Sequence, residues 1–456
     1  MKSSKYSLSL LAAIAIVSLV AKADVSLFDQ NNWRFTVSGF VQTDLISDST
    51  RSFREIISTN PVARPDTSDG RNARTQMTVR NSRMSFGIST PKVDDWSTTG
   101  LMEFDILGFD PSPGVAGNTE GSYYNSPTFR VRHAYVKSST DSLELLAGQT
   151  WELFGWQPYY FMPTVDIAPS PGMTFNRTVQ LRATKSFALG DTTILQSALG
   201  VVRPPESDSA FPDLQAGARI AFQNRKSGFM NGGSSGRKLE AMSFAVSGVL
   251  RQISVPTLTG GPGDTNTTTG SAVSVNAFIP LIAADDQSLG NTLSLVGSYT
   301  TGSGYGDQFI GWSGNGASQL NQATNGTAKT INAAGKTINL DQGIGDFDRN
   351  GNFNLEQITS YNLNLQYHLP GDLPDWVTAG FGILQSNNMN SLVDANGLSS
   401  AGKITYDQAR IYFVNYFHDF TNQIRIGAEY DYVDTEYGDG VIALDRRYQA
   451  SAFFTF

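Results

Sequence analysis

Charged residues spaced two apart are the most informative chemistry in this sequence. Arg130 and Arg132 flank Val131, and Glu103 and Asp105 are likewise two residues apart. In an extended strand, residues at this spacing point to the same side. Each pair would therefore place two like charges on one face, where they could attract small ions of opposite sign or neutralise each other.

Patterns typical of catalytic sites are weak. The chain has 3 histidines, His133, His368 and His418, without the spacing of a zinc site. Residues 232–236 match the G-x-S-x-G pattern of serine hydrolases, but no apolar strand precedes them. Gly335-Lys336-Thr337 ends like a phosphate-binding loop, but position 330 lacks the required glycine. The sequence therefore favours a protein that is not an enzyme.

One segment matches part of a calcium-binding loop. Asp346, Asp348, Asn350 and Gly351 fit its positions 1, 3, 5 and 6, and the carbonyl of Asn352 would stand at position 7. A glutamine occupies position 12, where the pattern requires a bidentate glutamate. The alternative is an ordinary turn, since Asp, Asn and Gly dominate turns. We expect at most a weak Ca²⁺ site and no other cofactor.

Residues 153–176 form a connection rich in aromatic and proline residues. Its candidate functional residues are Trp156, Tyr159, Tyr160, Phe161 and Asp166. Proline restricts φ, so this loop should be stiff enough to hold a shape and narrow a pore. The rings could stack on a solute, but packing against the wall of the protein is their more common use.

The elements that would position these residues are β-strands with alternating apolar and polar residues. Segments of about ten residues with this alternation are typical of transmembrane barrels. Their number is even, as a closed antiparallel bacterial barrel requires. The sixteen segments are about 33–46, 76–90, 98–108, 128–139, 142–152, 177–188, 192–203, 214–224, 239–252, 272–283, 291–302, 357–369, 376–387, 404–418, 423–433 and 446–456.

The connections alternate between long and short, which is the asymmetry of outer-membrane barrels. The predicted outer loops are 47–75, 109–127, 153–176, 204–213, 253–271, 303–356, 388–403 and 434–445. The other connections are mostly tight, except for the Gly- and Ser-rich 225–238. We interpret 303–356, with its low-complexity part 313–335, as a mobile surface loop rather than a second domain.

Residues 1–23 have the features of a secretory signal peptide: a basic start, an apolar stretch and a small-x-small cleavage site. Removing them leaves 30 basic and 41 acidic residues, a net charge of −11. An acidic chain without a basic tract argues against nucleic acid as a partner. The expected mature barrel is therefore 24–456, exported to the outer membrane of a Gram-negative bacterium, and Phe456 ends its last strand as in such barrels.

Arginines within the strands should face the lumen, because a Lys or Arg facing lipid at the midplane costs about 2–4 kcal/mol. The same alternation places Glu103 and Asp105 inward and His133 outward. The arginines assigned to the lumen are Arg83, Arg130, Arg132, Arg182, Arg219, Arg425 and Arg447. Two hypotheses remain open: a wall ladder in which arginines and carboxylates neutralise each other, and an arginine face that guides anions.

Three motifs resemble the DcaP-like porins: Arg-His-Ala-Tyr at 132–135, Ala-Gly-Gln-Thr-Trp at 147–151 and Gly-Ala-Glu-Tyr at 427–430. The resemblance is strongest over 79–182 and implies a sixteen-stranded, homotrimeric outer-membrane channel for small, often anionic solutes. Members of that family can carry an N-terminal periplasmic coiled coil. Only nine residues separate Ala23 from Trp33, so we expect none in this chain.

The sequence thus predicts a porin embedded in outer-membrane lipid, through which small hydrophilic solutes, anions or dicarboxylates in particular, diffuse passively. One alternative is a general porin without selectivity. The other is a barrel enzyme acting on lipid, with His133 or His418 as its base.

Overall fold

The structure is a computed structural model that describes residues 25–57, 61–108, 128–205, 211–233, 239–256, 264–285, 288–312, 343–347, 352–371, 375–396 and 405–456. The predicted signal peptide 1–23 lies outside the described residues. So do the predicted outer-loop residues 109–127, the low-complexity residues 313–335, and Asp348 and Asn350 of the predicted calcium loop.

Strands dominate the described residues. They are β1 (Val25–Gln30), β2 (Trp33–Asp48), β3 (Arg74–Thr78), β4 (Arg83–Ser89), β5 (Ser97–Gly108), β6 (Thr128–Ser139), β7 (Leu143–Trp151), β8 (Arg177–Ala188), β9 (Thr193–Val202), β10 (Asp213–Gly228), β11 (Leu239–Pro256), β12 (Thr265–Ile282), β13 (Leu293–Ser303), β14 (Gly345–Phe347), β15 (Phe353–Leu355), β16 (Gln357–His368), β17 (Trp376–Ser386), β18 (Tyr406–Asp419), β19 (Ile424–Tyr437) and β20 (Ile442–Thr455). Two short helices, α1 (Ser68–Arg71) and α2 (Met389–Asn396), lie between strands. No helix in the described part of the chain is long and apolar enough to cross a membrane.

The strands close into one antiparallel barrel. From β4 to β20, neighbours in sequence pair with each other, and β13 pairs with β16 because β14 and β15 form a small separate hairpin. The barrel closes where β2 pairs with β20. The main sheet has 18 strands; β3 and β4 both pair with β2 as one interrupted strand, and β1 only extends the sheet at its N-terminal end. The closed barrel therefore has sixteen strands, and each predicted strand is present.

Side chains alternate between the two faces of the wall. In β2, Gln42 and Asp44 are fully buried on the inner face, whereas Val41 and Leu45 are about half exposed on the outer face. Exposed Leu, Val, Phe and Tyr side chains continue the outer face around the barrel. An apolar outer surface around a polar interior is the arrangement of a transmembrane β-barrel.

The interruption between β3 and β4 departs from the single predicted strand 76–90. Arg80 turns into the barrel, where it forms an ion pair with Glu55 at 2.8 Å. Its guanidinium also donates to the carbonyls of Ile106 and Gly108 at 3.1 and 3.0 Å. All three nitrogens of the guanidinium thus donate to these carbonyls and this carboxylate, which offsets the loss of ladder hydrogen bonds.

Four segments fold into the barrel and fill part of it. Three come from the end with the long connections, namely 49–57, 153–176 and 304–312. The fourth, 229–233, enters from the opposite end and belongs to the Gly- and Ser-rich connection that was the exception among the tight turns. Together they pack against the inner face of much of β10 to β20, so this part of the interior is a core rather than open space.

Candidate functional site

The connection 153–176 crosses the interior of the barrel. Near its start, the Phe154 amide donates to Gln215 Oε1 and the Gly155 amide to Ser247 Oγ, both at 2.8 Å. Farther along, the Pro163 carbonyl accepts a hydrogen bond at 2.9 Å from the side-chain amide of Asn415, which lies on β18. Because β10 and β11 lie across the barrel from β18, the loop spans the lumen and is pinned at both walls.

The aromatic residues of this loop divide into packed and exposed rings. Trp156 donates to the Val246 carbonyl at 3.1 Å, and the Tyr160 hydroxyl lies 3.0 Å from Ser243 Oγ. Phe161 is buried against Trp151, with ring centroids 4.8 Å apart. Tyr159 keeps 41% of its surface exposed. Three of the four rings are therefore used in packing, and Tyr159 is the one that faces open space.

Asp166 holds the far part of the loop next to β2. Asn81 Nδ2 donates to Asp166 Oδ2 at 3.0 Å and to Asp44 Oδ2 at 2.9 Å, so the amide bridges the two carboxylates. The Asp166 carbonyl accepts from Arg83 Nη2 at 3.2 Å. Burial, together with the nearby Asp44 charge, raises the pKa of Asp166 to about 7.

Arg130 and Arg132 form ion pairs with the two acidic residues of β5. Arg130 binds both oxygens of Asp105, with its Nε at 3.0 Å and its Nη2 at 2.6 Å. Arg132 reaches Glu103 at 2.6 Å and Asp105 at 3.0 Å. The four side chains point inward, as predicted, and form the wall ladder in which two positive and two negative charges balance.

His133 lies inside the barrel, so its predicted outward orientation is wrong. The pairing of β5 with β6 shifts by one residue between Glu103 and Phe104, and this bulge leaves Arg132 and His133 both facing the lumen. His133 Nδ1 lies 3.0 Å from Thr150 Oγ1, and its ring centroid is 5.6 Å from that of Trp151. Strict alternation fails here because a bulge inserts one residue into the period of two.

Four inward arginines have no carboxylate within ion-pair distance among the described residues. They are Arg83, Arg177, Arg182 and Arg219. Arg219 lies 4.2 Å above the Tyr159 ring and donates to the Tyr160 hydroxyl at 3.2 Å. Arg182 donates to the Trp151 carbonyl at 3.3 Å. The groups that contact each guanidinium are neutral.

Arg177 was not predicted as a luminal residue. It starts β8 and shares its parity with the outward Val179, yet its guanidinium lies 4.5 Å from the Trp151 ring and 5.2 Å from the Phe175 ring. Its Nε and Nη1 are buried without a hydrogen-bond partner among the described residues. Arg177 is therefore luminal although the alternation of β8 predicts an outward position, and no sequence pattern marks this departure.

Water reaches the charges on one side of the interior. The side chains of Glu103 and Arg130 are 19% and 29% exposed, and those of Lys137 and Glu144 are 35% and 33% exposed. These residues lie on the inner face of β5 to β7. The carboxylates of β2, β19 and β20, namely Asp44, Glu429, Asp431 and Asp445, are buried under the inward loops. Open space in the described interior is therefore displaced toward β5–β9.

The predicted calcium loop is described only at its edges. The backbone of Asp346 lies in β14, which pairs with β15 just beyond Asn352. The Asn352 carbonyl accepts from Asn354 Nδ2 at 3.2 Å. The predicted site lies between β14 and β15 in the sequence, and Ca²⁺ binding there stays a prediction.

The barrel resembles solved channel structures. It matches the crystal structure of the outer membrane channel DcaP of Acinetobacter baumannii with a TM-score of 0.65 and 15% identity, covering 95% of this chain and 100% of that one. It also matches OprB of Pseudomonas putida with a TM-score of 0.52 and 10% identity, covering 92% and 94% of the two chains. No protein-family model and no curated protein matches the sequence. At these identities the comparisons establish the porin-like fold, and the predicted resemblance is confirmed at that level.

Proposed function

We propose that this protein is a porin of the Gram-negative outer membrane through which small hydrophilic solutes diffuse passively. The observation that carries the proposal is the stiff loop 153–176, which crosses a closed barrel and leaves a water-accessible, charged strip along β5–β9. The apolar outer face suits outer-membrane lipid. Fixed charges beside a narrowed passage are what sets selectivity in such channels.

Anions are the preferred solutes in this proposal. Arg83, Arg177, Arg182 and Arg219 lack carboxylate partners among the described residues, whereas Asp431 and Asp445 lie buried under the loops. Buried carboxylates act on a passing ion only through protein, whereas Arg83, Arg177 and Arg182 each keep part of their surface exposed. The competing hypothesis, a general porin without selectivity, is supported by the neutral ladder of Arg130 and Arg132 with its two acids.

The alternative of a lipid-cleaving barrel enzyme finds little support in the histidine contacts. His133 faces Thr150, and His418 Nδ1 lies 2.8 Å from Asp375 Oδ1 on the outer surface. Neither ring is hydrogen-bonded to a serine among the described residues, as a general base for a serine nucleophile would be. We therefore assign no catalytic residues.

Homotrimeric assembly is part of the proposal and rests on the family resemblance of the sequence. A homotrimer should contain three pores, and each pore should open and close within the same assembly. The net negative charge of the chain argues against nucleic acid as a partner.

Single-channel recording in a planar bilayer tests the function. Refolded mature protein should conduct KCl, in steps grouped in threes, and under a salt gradient its reversal potential should have the sign of anion preference. A protein that inserts but never conducts would refute the channel. Equal permeation of both ions would favour the general porin, and lipid hydrolysis by the purified protein would favour the enzyme.

A further inference from the structure

A polar cavity of about 270 Å³ lies inside the barrel between the loop 153–176 and the inner face of β7–β9. Its lining includes the acidic residues Asp141 and Glu144 and the basic Arg182. Tyr159 closes it from the side of the loop, and Thr184 and Gln196 add neutral polar groups. Opposite charges therefore face one small luminal space.

The strand register keeps these two charges apart. Glu144 pairs directly with Thr184, and Arg182 pairs with Leu146, so Glu144 and Arg182 are diagonal neighbours on the wall. Diagonal neighbours lie about 7–8 Å apart, with their Cβ atoms somewhat closer. No ion pair within 4 Å joins the two side chains. The gap between them can accommodate a ligand that carries both charges.

Arg182 is available to bind a carboxylate. Its Nη1 donates to the neutral Trp151 carbonyl at 3.3 Å, and its Nε is buried without a hydrogen-bond partner among the described residues. Nothing neutralises its charge within ion-pair distance in the described part of the chain. A carboxylate that reached it would form a charge-assisted hydrogen bond, which is stronger than a neutral one.

Glu144 is available to bind an ammonium group. Lys137 Nζ approaches its Oε2 at 3.3 Å, but both side chains are about one-third exposed. Exposed ion pairs of this kind contribute only about 0–1 kcal/mol to the stability of a protein. A ligand ammonium can therefore displace Lys137 or bind the other carboxylate oxygen at little cost.

We propose that this cavity is a solute subsite for small zwitterions of the α-amino-acid type, with the carboxylate on Arg182 and the ammonium on Glu144. The inference rests on the proposed porin function, because the cavity opens within the solute path. A simple anion would meet repulsion from Glu144, and a simple cation would meet repulsion from Arg182. A zwitterion with a small side chain satisfies both charges and fits the available volume.

Matched probes separate these possibilities. L-alanine carries both charges, propionate lacks the ammonium, and ethylammonium lacks the carboxylate. Binding is measured by saturation-transfer NMR on refolded protein in detergent, which does not depend on conduction. The variants are Glu144→Gln and Arg182→Gln, and the controls are Asp95→Asn and Lys92→Gln, which make the same charge changes in the exposed turn between β4 and β5.

We expect L-alanine to bind the wild type more tightly than either singly charged probe. Each cavity variant should weaken L-alanine binding about tenfold, the value of one charge-assisted hydrogen bond. Glu144→Gln should strengthen propionate binding, and both controls should match the wild type. If Glu144→Gln left L-alanine binding unchanged or improved it, the cavity would be an anion site and the inference would be overturned. A protein that binds L-alanine as expected but does not conduct would instead refute the porin function.

Discussion

Replacing Arg130 and Arg132 together with alanine tests whether the charges of the inner wall govern ion selectivity. In the wild type these arginines balance Asp105 and Glu103, so the cluster of four side chains is neutral. The double variant leaves two uncompensated negative charges on a wall that water reaches. We expect its selectivity to shift toward cations.

The size of the expected shift in ion selectivity follows from Coulomb's law. A unit charge changes the energy of a monovalent ion roughly 8 Å away by about 0.5 kcal/mol at the dielectric constant of water. Two charges therefore lower the energy of a passing cation by about 1 kcal/mol and raise that of an anion by the same amount, so the cation-to-anion permeability ratio should change about 30-fold. Because salt screens this effect, the dilute side should be near 0.01 M, where the Debye length is about 30 Å.

The assay is the reversal potential of single channels under a KCl gradient. The control carries Arg130→Gln, Arg132→Gln, Glu103→Gln and Asp105→Asn together, which restores neutrality without the ion pairs. Its reversal potential should lie near that of the wild type. An unchanged value in the double alanine variant would remove this cluster from the ion path, and an equal shift in both proteins would mean that pore shape, rather than charge, had changed.

Three further predictions concern the loop 153–176, the segment 229–233 and the outer hairpin. Anion preference should increase as the pH falls through about 7, because Asp166 then becomes neutral, and Asp166→Asn should reduce this pH dependence of the reversal potential. Arg425→Gln should destabilise the barrel by about 3–5 kcal/mol in urea unfolding, because it breaks the buried pair with Asp419, while the control Lys92→Gln stays at the wild-type value. Calorimetric titration with Ca²⁺ should give heat in the wild type and none in Asp346→Ala plus Asp348→Ala; identical heats would leave an ordinary turn.

The sequence predicts the wall of this barrel well because the wall depends on local patterns. Alternation with a period of two sets which face of a strand is apolar, and each strand pairs with its neighbour in sequence. The sixteen strands and the inward orientation of Arg130, Arg132, Glu103 and Asp105 follow from these two rules alone. The additional strand β1 was missed because all six of its residues are exposed and show no buried face.

Deviations from the regular period are what the sequence does not reveal. The bulge at Arg132 places His133 on the inner face, and Arg177 lies inward where the loop 153–176 rejoins the wall. Neither site contains a glycine or proline that would mark it. The inward position of Arg177 depends on Trp151 and Phe175, and their contact exists only because the loop folds back into the barrel.

The contents of the lumen depend on contacts between distant segments, and these contacts decide which charges a solute meets. A Cβ on Gly232 would lie 1.8 Å from the Val165 carbonyl, so the segment 229–233 and the loop 153–176 touch where only glycine fits. Arg425 fixes this contact by donating to the Gly232 carbonyl at 2.9 Å. The filled region covers the acidic wall, including Asp431, and leaves charged residues of both signs on β5–β7 open to water. Burial, rather than the composition of the chain, therefore decides which charges can act on a solute.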